Sequence, residues 1–239
     1  MSIYIFDNNN KKIIPKKYLK NIQNLLKKKH VVILKNILDP EKLKEIRKIA
    51  FEFGKKNQNK KMSNLPFITK SSSRIDNEHP KMRVKCINHV FRPSRKDKKF
   101  KTFFKITDQI DDLRNILLNI KKKDYAKSNN EKGFVSRPSI KHYPLGGGYM
   151  SKHTDEVLGK HSLQVITPLS EKFKDYKNGG LKLKVKKKWH DIDEKLKLGS
   201  IVIHRPDLEH KVEKINRNKK IQWGSILGKW SLISNLDKL

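Results

Sequence analysis

The pair His153 and Asp155 constrains the fold of this chain more than any other feature. Two side chains two positions apart share a face on an extended strand, so a site using both requires β structure there, with Thr154 turned away as a spacer. An imidazole and a carboxylate presented to one point suit a borderline cation such as Fe(II). A second imidazole completes the face of two histidines and one carboxylate that leaves coordination positions open. His210 is the natural third ligand. It follows the strand-like run Ser200-Ile-Val-Ile203, introduced by Gly199, and a turn at Arg205-Pro-Asp207. His204, on the strand before it, is the rival. The geometry asks for two strands, and two are available.

The neighbouring residues extend the β pattern. His142-Tyr-Pro-Leu-Gly-Gly-Gly-Tyr149 reads as a short strand and a glycine turn before the triplet, and Leu163-Gln-Val-Ile-Thr167 as a further apolar run. Asn178-Gly-Gly180 breaks the middle, Leu181-Lys-Leu-Lys-Val185 alternates like a strand with one wet face, and Gly228-Lys-Trp-Ser231 closes the chain. Alternation places Lys141 and Tyr143 on one face and His142 on the other, so His142 is not a ligand. Gln164 faces the cavity on this reading, and His161 stands at the edge of its run. Trp189-His-Asp-Ile-Asp193 reads as a connecting loop, with His190 and Asp191 on the surface.

This ordered set resembles the iron/2-oxoglutarate dioxygenase superfamily, nearest to its phytanoyl-CoA-hydroxylase-like and prolyl-hydroxylase-like branches. The resemblance covers roughly the last hundred residues well and the rest loosely. It implies a mainly β fold with helical additions: a double-stranded β-helix, the cupin-like jelly roll, with N-terminal and buttressing α-helices. His153, Asp155 and His210 would hold the iron near one open end, and 2-oxoglutarate would chelate it through its keto-acid end. A basic residue on a late strand pairs with the far carboxylate in that superfamily, and Lys229 matches its position. Ser231 then gives a Lys-x-Ser pair on one strand face, a hydroxyl beside an ammonium being a sensible carboxylate clamp. Tyr143 would donate its phenol to the same carboxylate. Many relatives carry arginine where Lys229 stands, and lysine is a point charge rather than a fork. Arg217, in the polar run Asn216-Arg-Asn-Lys-Lys220, is the competing residue.

The implied reaction consumes O₂ and 2-oxoglutarate, releases succinate and CO₂, and hydroxylates a C–H bond of a small molecule. Halogenating relatives have a small residue where Asp155 stands, so halogenation is not expected. One alternative is a nucleic-acid demethylase of the same superfamily, which the charge would suit through phosphate contacts. That branch carries an Asn-x-Tyr before the triplet and paired arginines after the distal histidine. This chain has Ser139-Ile-Lys-His142 before Tyr143, and only lysines and Arg217 after His210. A second alternative is a jelly-roll binding protein in which the triad does not turn over.

At 239 residues the chain suits one domain, with helices and substrate or lid loops over 1–130 and the catalytic half over 131–239. Ile3-Tyr-Ile-Phe6 reads as a strand, Lys17 to Lys28 as an amphipathic helix, and His30 to Leu34 as a buried strand. Asp39-Pro40 supplies an N-cap and first-turn proline for the next helix, which carries Leu43, Ile46, Ile49, Ala50 and Phe53. A polar stretch from Gly54 to Arg95, with short strands around Met82–Val90, offers Arg74, Arg83, His89 and Arg92 as substrate contacts. Asp108 to Lys123 reads as a buttressing helix ending in three lysines. The net charge of +33, from 57 basic against 24 acidic residues, points to an anionic partner such as a phosphorylated metabolite, nucleic acid or an acidic membrane surface, or equally to base-composition bias towards lysine, asparagine and isoleucine. The single Cys86 admits no internal disulfide and suits a reducing, cytoplasmic setting. No apolar run reaches the roughly 18 residues of a membrane span.

Overall fold

The computed structural model of the chain describes residues 1–8, 16–55, 72–77, 83–120, 134–158, 162–217, 220–234 and 236–238. In chain order these form β1 (Ile3–Asp7), α1 (Lys16–Lys27), β2 (Val31–Lys35), α2 (Pro40–Lys55), β3 (Ser72–Asn77), β4 (Cys86–Phe91) and α3 (Lys101–Leu117). There follow β5 (Phe134–Ser136), β6 (Ser139–Pro144), β7 (Tyr149–His153), β8 (Gln164–Pro168), β9 (Gly180–Val185) and β10 (Lys188–Asp191). β11 (Ile201–His204), β12 (His210–Glu213), β13 (Gly228–Ser234) and β14 (Leu236–Lys238) complete the set.

Eleven strands run edge to edge in the order β1-β2-β11-β8-β13-β6-β4-β7-β12-β9-β10, with β3 added on β4, while β5 and β14 pair separately. β1 lies parallel to β2, which needs a crossover, and α1 supplies it. The sheet folds over on itself. β11 and β12 stand third and ninth in its order, yet only the turn 205–209 separates them, and the rings of His204 and His210 are 5.5 Å apart. Inside the fold, Val31, Ile33, Ile166, Val202 and Ile233 from one wall pack against Leu181, Leu183 and Val185 of the other. This is the jelly roll that strands with one buried face build when the sheet closes over its own apolar side.

The outer face of the β2-β11-β8-β13-β6 wall is covered by the helices. Val32, Leu34, Ile201, Ile203, Val165, Leu232 and Trp230 meet Ile22 of α1, Leu43 and Ile46 of α2, and Phe103, Ile106 and Ile110 of α3. Trp230 is fully buried, stacked on His142 at 4.1 Å between ring centroids and on Phe91 at 5.7 Å. The Asp39 carboxylate accepts the Glu41 amide at 3.0 Å at the start of α2, the cap its sequence announces. Three elements differ from expectation, the first being β3, a strand over Ser72–Asn77 paired with β4 within the stretch that read as loop. α3 runs from Lys101 to Leu117, starting early because Asp97 caps a 3-10 turn over Lys98–Phe100 that leads straight into it, and the three lysines of its expected end lie outside the described residues. Residues 188–191 form β10, not a loop, in a hairpin with β9. No helix among the described residues is long and apolar enough to cross a membrane.

Candidate metal centre

β7 ends at His153, and Asp155 follows in a segment tied down by its amide, which donates to the Pro206 carbonyl at 3.0 Å. His210 opens β12 directly opposite His153, and the ladder is irregular between His210 and Val212. Such a bulge re-aims a side chain where a ladder borders a site. Thr154 is exposed, as a spacer should be. The result is a three-residue cluster whose ligand atoms all lie within 4.8 Å of one another. His153 Nε2 is 3.6 Å from Asp155 Oδ1, and His210 Nε2 is 3.6 Å from Asp155 Oδ2.

The donor set fits a divalent metal. His153 Nδ1 lies 2.8 Å from the Ser151 carbonyl and His210 Nδ1 2.9 Å from that of Leu208, so each Nδ1 carries its proton and each Nε2 keeps a free lone pair. Burial, the largest effect on both, lowers the two imidazoles to about 4, so both are neutral at physiological pH. Adjacent ligands on bonds of about 2.1 Å stand about 3 Å apart, so the two imidazole–carboxylate edges, at 3.6 Å each, are about half an ångström longer than ion-bound ligands would be.

Facing the cluster is a polar inner wall. On β6 and β13, Tyr143 stands opposite Lys229, and Lys141 opposite Ser231; on β8 and β11, Gln164 stands opposite His204. Ser231 Oγ, Gln164 Oε1, His204 Nε2 and both amide atoms of Asn88 are buried without a protein hydrogen-bond partner. Buried polar groups are ordinarily satisfied, so a row of open ones marks a surface built for a ligand or for water. Burial raises the Tyr143 phenol and lowers the Lys141 ammonium, whose charge is felt at His153, His210 and Asp155.

The structure distributes the sequence candidates unevenly. Lys229 Nζ donates to Asp193 Oδ1 at 2.7 Å in a pair with both side chains 3% exposed. Asp193 Oδ2 also accepts the Tyr176 hydroxyl at 2.6 Å and the Leu181 amide at 2.7 Å. Arg217 is exposed in the turn beyond β12. His142 faces Trp230, on the opposite side of the sheet from the triad, and His89 stacks on Phe91 there as well, so His89 is no substrate contact. His204, its ring 5.5 Å from that of His210, stands outside the cluster, with its Nδ1 on the Arg205 carbonyl. Arg83 is exposed, and Arg92 is half-buried near Lys141. His161 and the side chain of Arg74 lie outside the described residues. Asp193, Asn88 and the unpaired state of Lys141 carried no sequence signal of a site.

A jelly roll with two histidines and a carboxylate converging on its inner wall defines a scaffold for a single metal ion with open coordination positions. Solved structures narrow this further. The chain is similar to a full-length Neurospora crassa protein in complex with alpha-KG and thymine, at 14% identity and a TM-score of 0.65, over 99% of this chain and 86% of that one. A Pseudomonas putida prolyl-4-hydroxylase matches at 12% identity and a TM-score of 0.57, over 93% and 100%. An oxidoreductase of the 2OG-Fe(II) oxygenase family from Burkholderia pseudomallei matches at 10% and 0.58, over 99% and 95%. No protein-family model matches the sequence, and no curated protein does. The fold is that of the 2-oxoglutarate- and Fe(II)-dependent oxygenases.

Proposed function

We propose that the protein is a non-haem Fe(II)- and 2-oxoglutarate-dependent oxygenase that hydroxylates a C–H bond of an anionic small molecule, working as a single domain in the cytoplasm. The observation that carries this reading is the convergence of two neutral, lone-pair-bearing Nε2 atoms and one carboxylate within 4.8 Å on the inner wall of a jelly roll. His153, Asp155 and His210 would hold the iron through these atoms. Bound iron with 2-oxoglutarate supplies the activation of O₂ that oxidises the C–H bond, with succinate and CO₂ released.

The chain's own contribution is positioning and exclusion. The Ser151 and Leu208 carbonyls fix the two imidazole rings, and the backbone bond from Asp155 to Pro206 fixes the carboxylate between them. Tyr143, Gln164 and Ser231 offer hydroxyl and amide groups to a bound oxo acid from the facing wall. The apolar packing of Leu181, Leu183, Val202 and Ile233 on one flank limits water there. Thymine in the Neurospora crassa complex is a small molecule, which supports a small-molecule substrate for this chain.

The test is an anaerobic titration of metal-free protein with Fe(II) and 2-oxoglutarate, following the visible metal-to-ligand charge-transfer band. The band should form in wild type and be lost in His153→Ala and His210→Ala. Protein that takes up iron and forms no band is not an oxygenase of this type, and a jelly-roll binding protein becomes the better reading.

A further inference from the structure

The oxo acid is a dianion, and the inner wall presents two lysines to it. We propose that Lys141 on β6, and not Lys229 on β13, takes the distal carboxylate of the 2-oxo acid, an assignment that rests on the oxygenase reading above. Lys229 is already committed. Its ammonium is 2.7 Å from Asp193 Oδ1, and Asp193 is itself anchored by the Tyr176 hydroxyl and the Leu181 amide on its other oxygen. A carboxylate fixed by three donors, nearly sealed from solvent, cannot swing aside for an incoming anion. The pair offers a ligand almost no net charge, and a second carboxylate beside it would meet Asp193 as well as Lys229.

Lys141 is in the opposite condition. Alternation along β6 sends Ile140 and His142 to the helix side, where they pack with Trp230, and turns Lys141 and Tyr143 inward. On the inner face Lys141 sits between Val90 of β4 and Ser231 of β13. Among the described residues it makes no ion pair and no hydrogen bond, and the Ser231 hydroxyl opposite it is also without a partner. Directly opposed residues on adjacent strands have Cβ atoms about 5 Å apart, so the ammonium and the hydroxyl reach one point. Asn88, two residues before Val90, adds an open amide on the same wall. An ammonium, a hydroxyl and an amide N–H, all unused and all aimed inward, form a carboxylate cradle. The mutual influence of Lys141 with Asp155, His153 and His210 places this cation within range of the triad.

The experiment measures preference, which does not depend on turnover. Mn(II)-loaded protein is titrated calorimetrically with 2-oxoglutarate and with 2-oxobutanoate, which keeps the chelating keto acid and lacks the distal carboxylate. Wild type should prefer 2-oxoglutarate. Lys141→Met should weaken 2-oxoglutarate by at least about 30-fold and leave 2-oxobutanoate and Mn(II) affinity unchanged, collapsing the preference. Lys141→Arg should restore part of it. Lys229→Met should melt at lower temperature and keep the preference. A preference that survives in Lys141→Met, or that disappears in Lys229→Met, overturns the assignment and leaves the oxygenase reading standing. Wild-type protein that binds Mn(II) but neither oxo acid would sink the oxygenase reading and this assignment together.

Discussion

The buried Asp193 node gives the sharpest test of how this fold is held together. Asp193→Asn keeps the shape of the side chain and removes its charge. It also puts an N–H₂ group where the Tyr176 hydroxyl and the Leu181 amide now donate, or turns that group towards Lys229. Either orientation sets donor against donor, and in both the Lys229 ammonium, 3% exposed, loses its counter-ion. Breaking a buried pair from one side costs about 3–5 kcal/mol, because the remaining charge stays desolvated. A chain of 239 residues has an unfolding entropy of about 0.5 kcal/mol/K near its midpoint, so Tm should fall by about 6–10 °C. The assay is urea and thermal unfolding of wild type, Asp193→Asn, Lys229→Met and the double variant. Removing both partners should recover at least about 2 kcal/mol relative to the sum of the singles. The reasoning fails if Asp193→Asn costs under about 1 kcal/mol, the range of a solvent-screened pair, or if the singles add within about 0.5 kcal/mol.

Three further outcomes are expected. Gly180 has φ 116°, and a Cβ there would fall on Asp193 Oδ2, so Gly180→Ala should cost at least about 2 kcal/mol in urea unfolding and weaken the same node. His142→Ala removes the ring stacked on Trp230 and the Nε2 partner of the Leu227 carbonyl, 3.0 Å away. It should lose about 1–3 kcal/mol of stability and still form the Fe(II)–2-oxoglutarate band, which His210→Ala abolishes. In metal-free protein, His153 and His210 are held at about 4 against an ordinary 6.5 in the unfolded chain. Below pH 6.5 the unfolded state therefore binds protons that the folded state refuses. Stability should fall as pH drops from 6.5 to about 4, by on the order of 1.4 kcal/mol per unit for each imidazole, and His210→Asn should flatten the slope in equilibrium unfolding across that window.

What could be read from the sequence was what local spacing encodes. The amphipathic period of α1, the Asp39 cap of α2, and the alternation in β6 and β9 each lie within a few residues, and each appears in the fold where the pattern put it. The candidate ligands were equally local, His153 and Asp155 two residues apart and His210 one turn beyond the strand that ends at His204. β10 was illegible for a specific reason. Its hairpin turns through Lys186 and Lys187, both at positive φ, the conformation for which asparagine and glycine are the usual sign. Two lysines there look like solvated charge, and the strand after them looks like loop.

The deeper gap concerns charge rather than secondary structure. Lys141 and Lys229 are equivalent in the sequence, each an inward lysine of an alternating strand, and the family pattern favours Lys229. What separates them is Asp193, 36 residues before Lys229 and 12 after Leu181, whose amide it also accepts. A counter-ion at that separation is chosen by the closure of the sheet, which brings the segment after β10 beneath the start of β13. An isolated carboxylate in a charged loop carries no mark of that fate. The inner wall therefore holds one neutralised lysine and one open lysine, and the difference between them decides where a second carboxylate is bound.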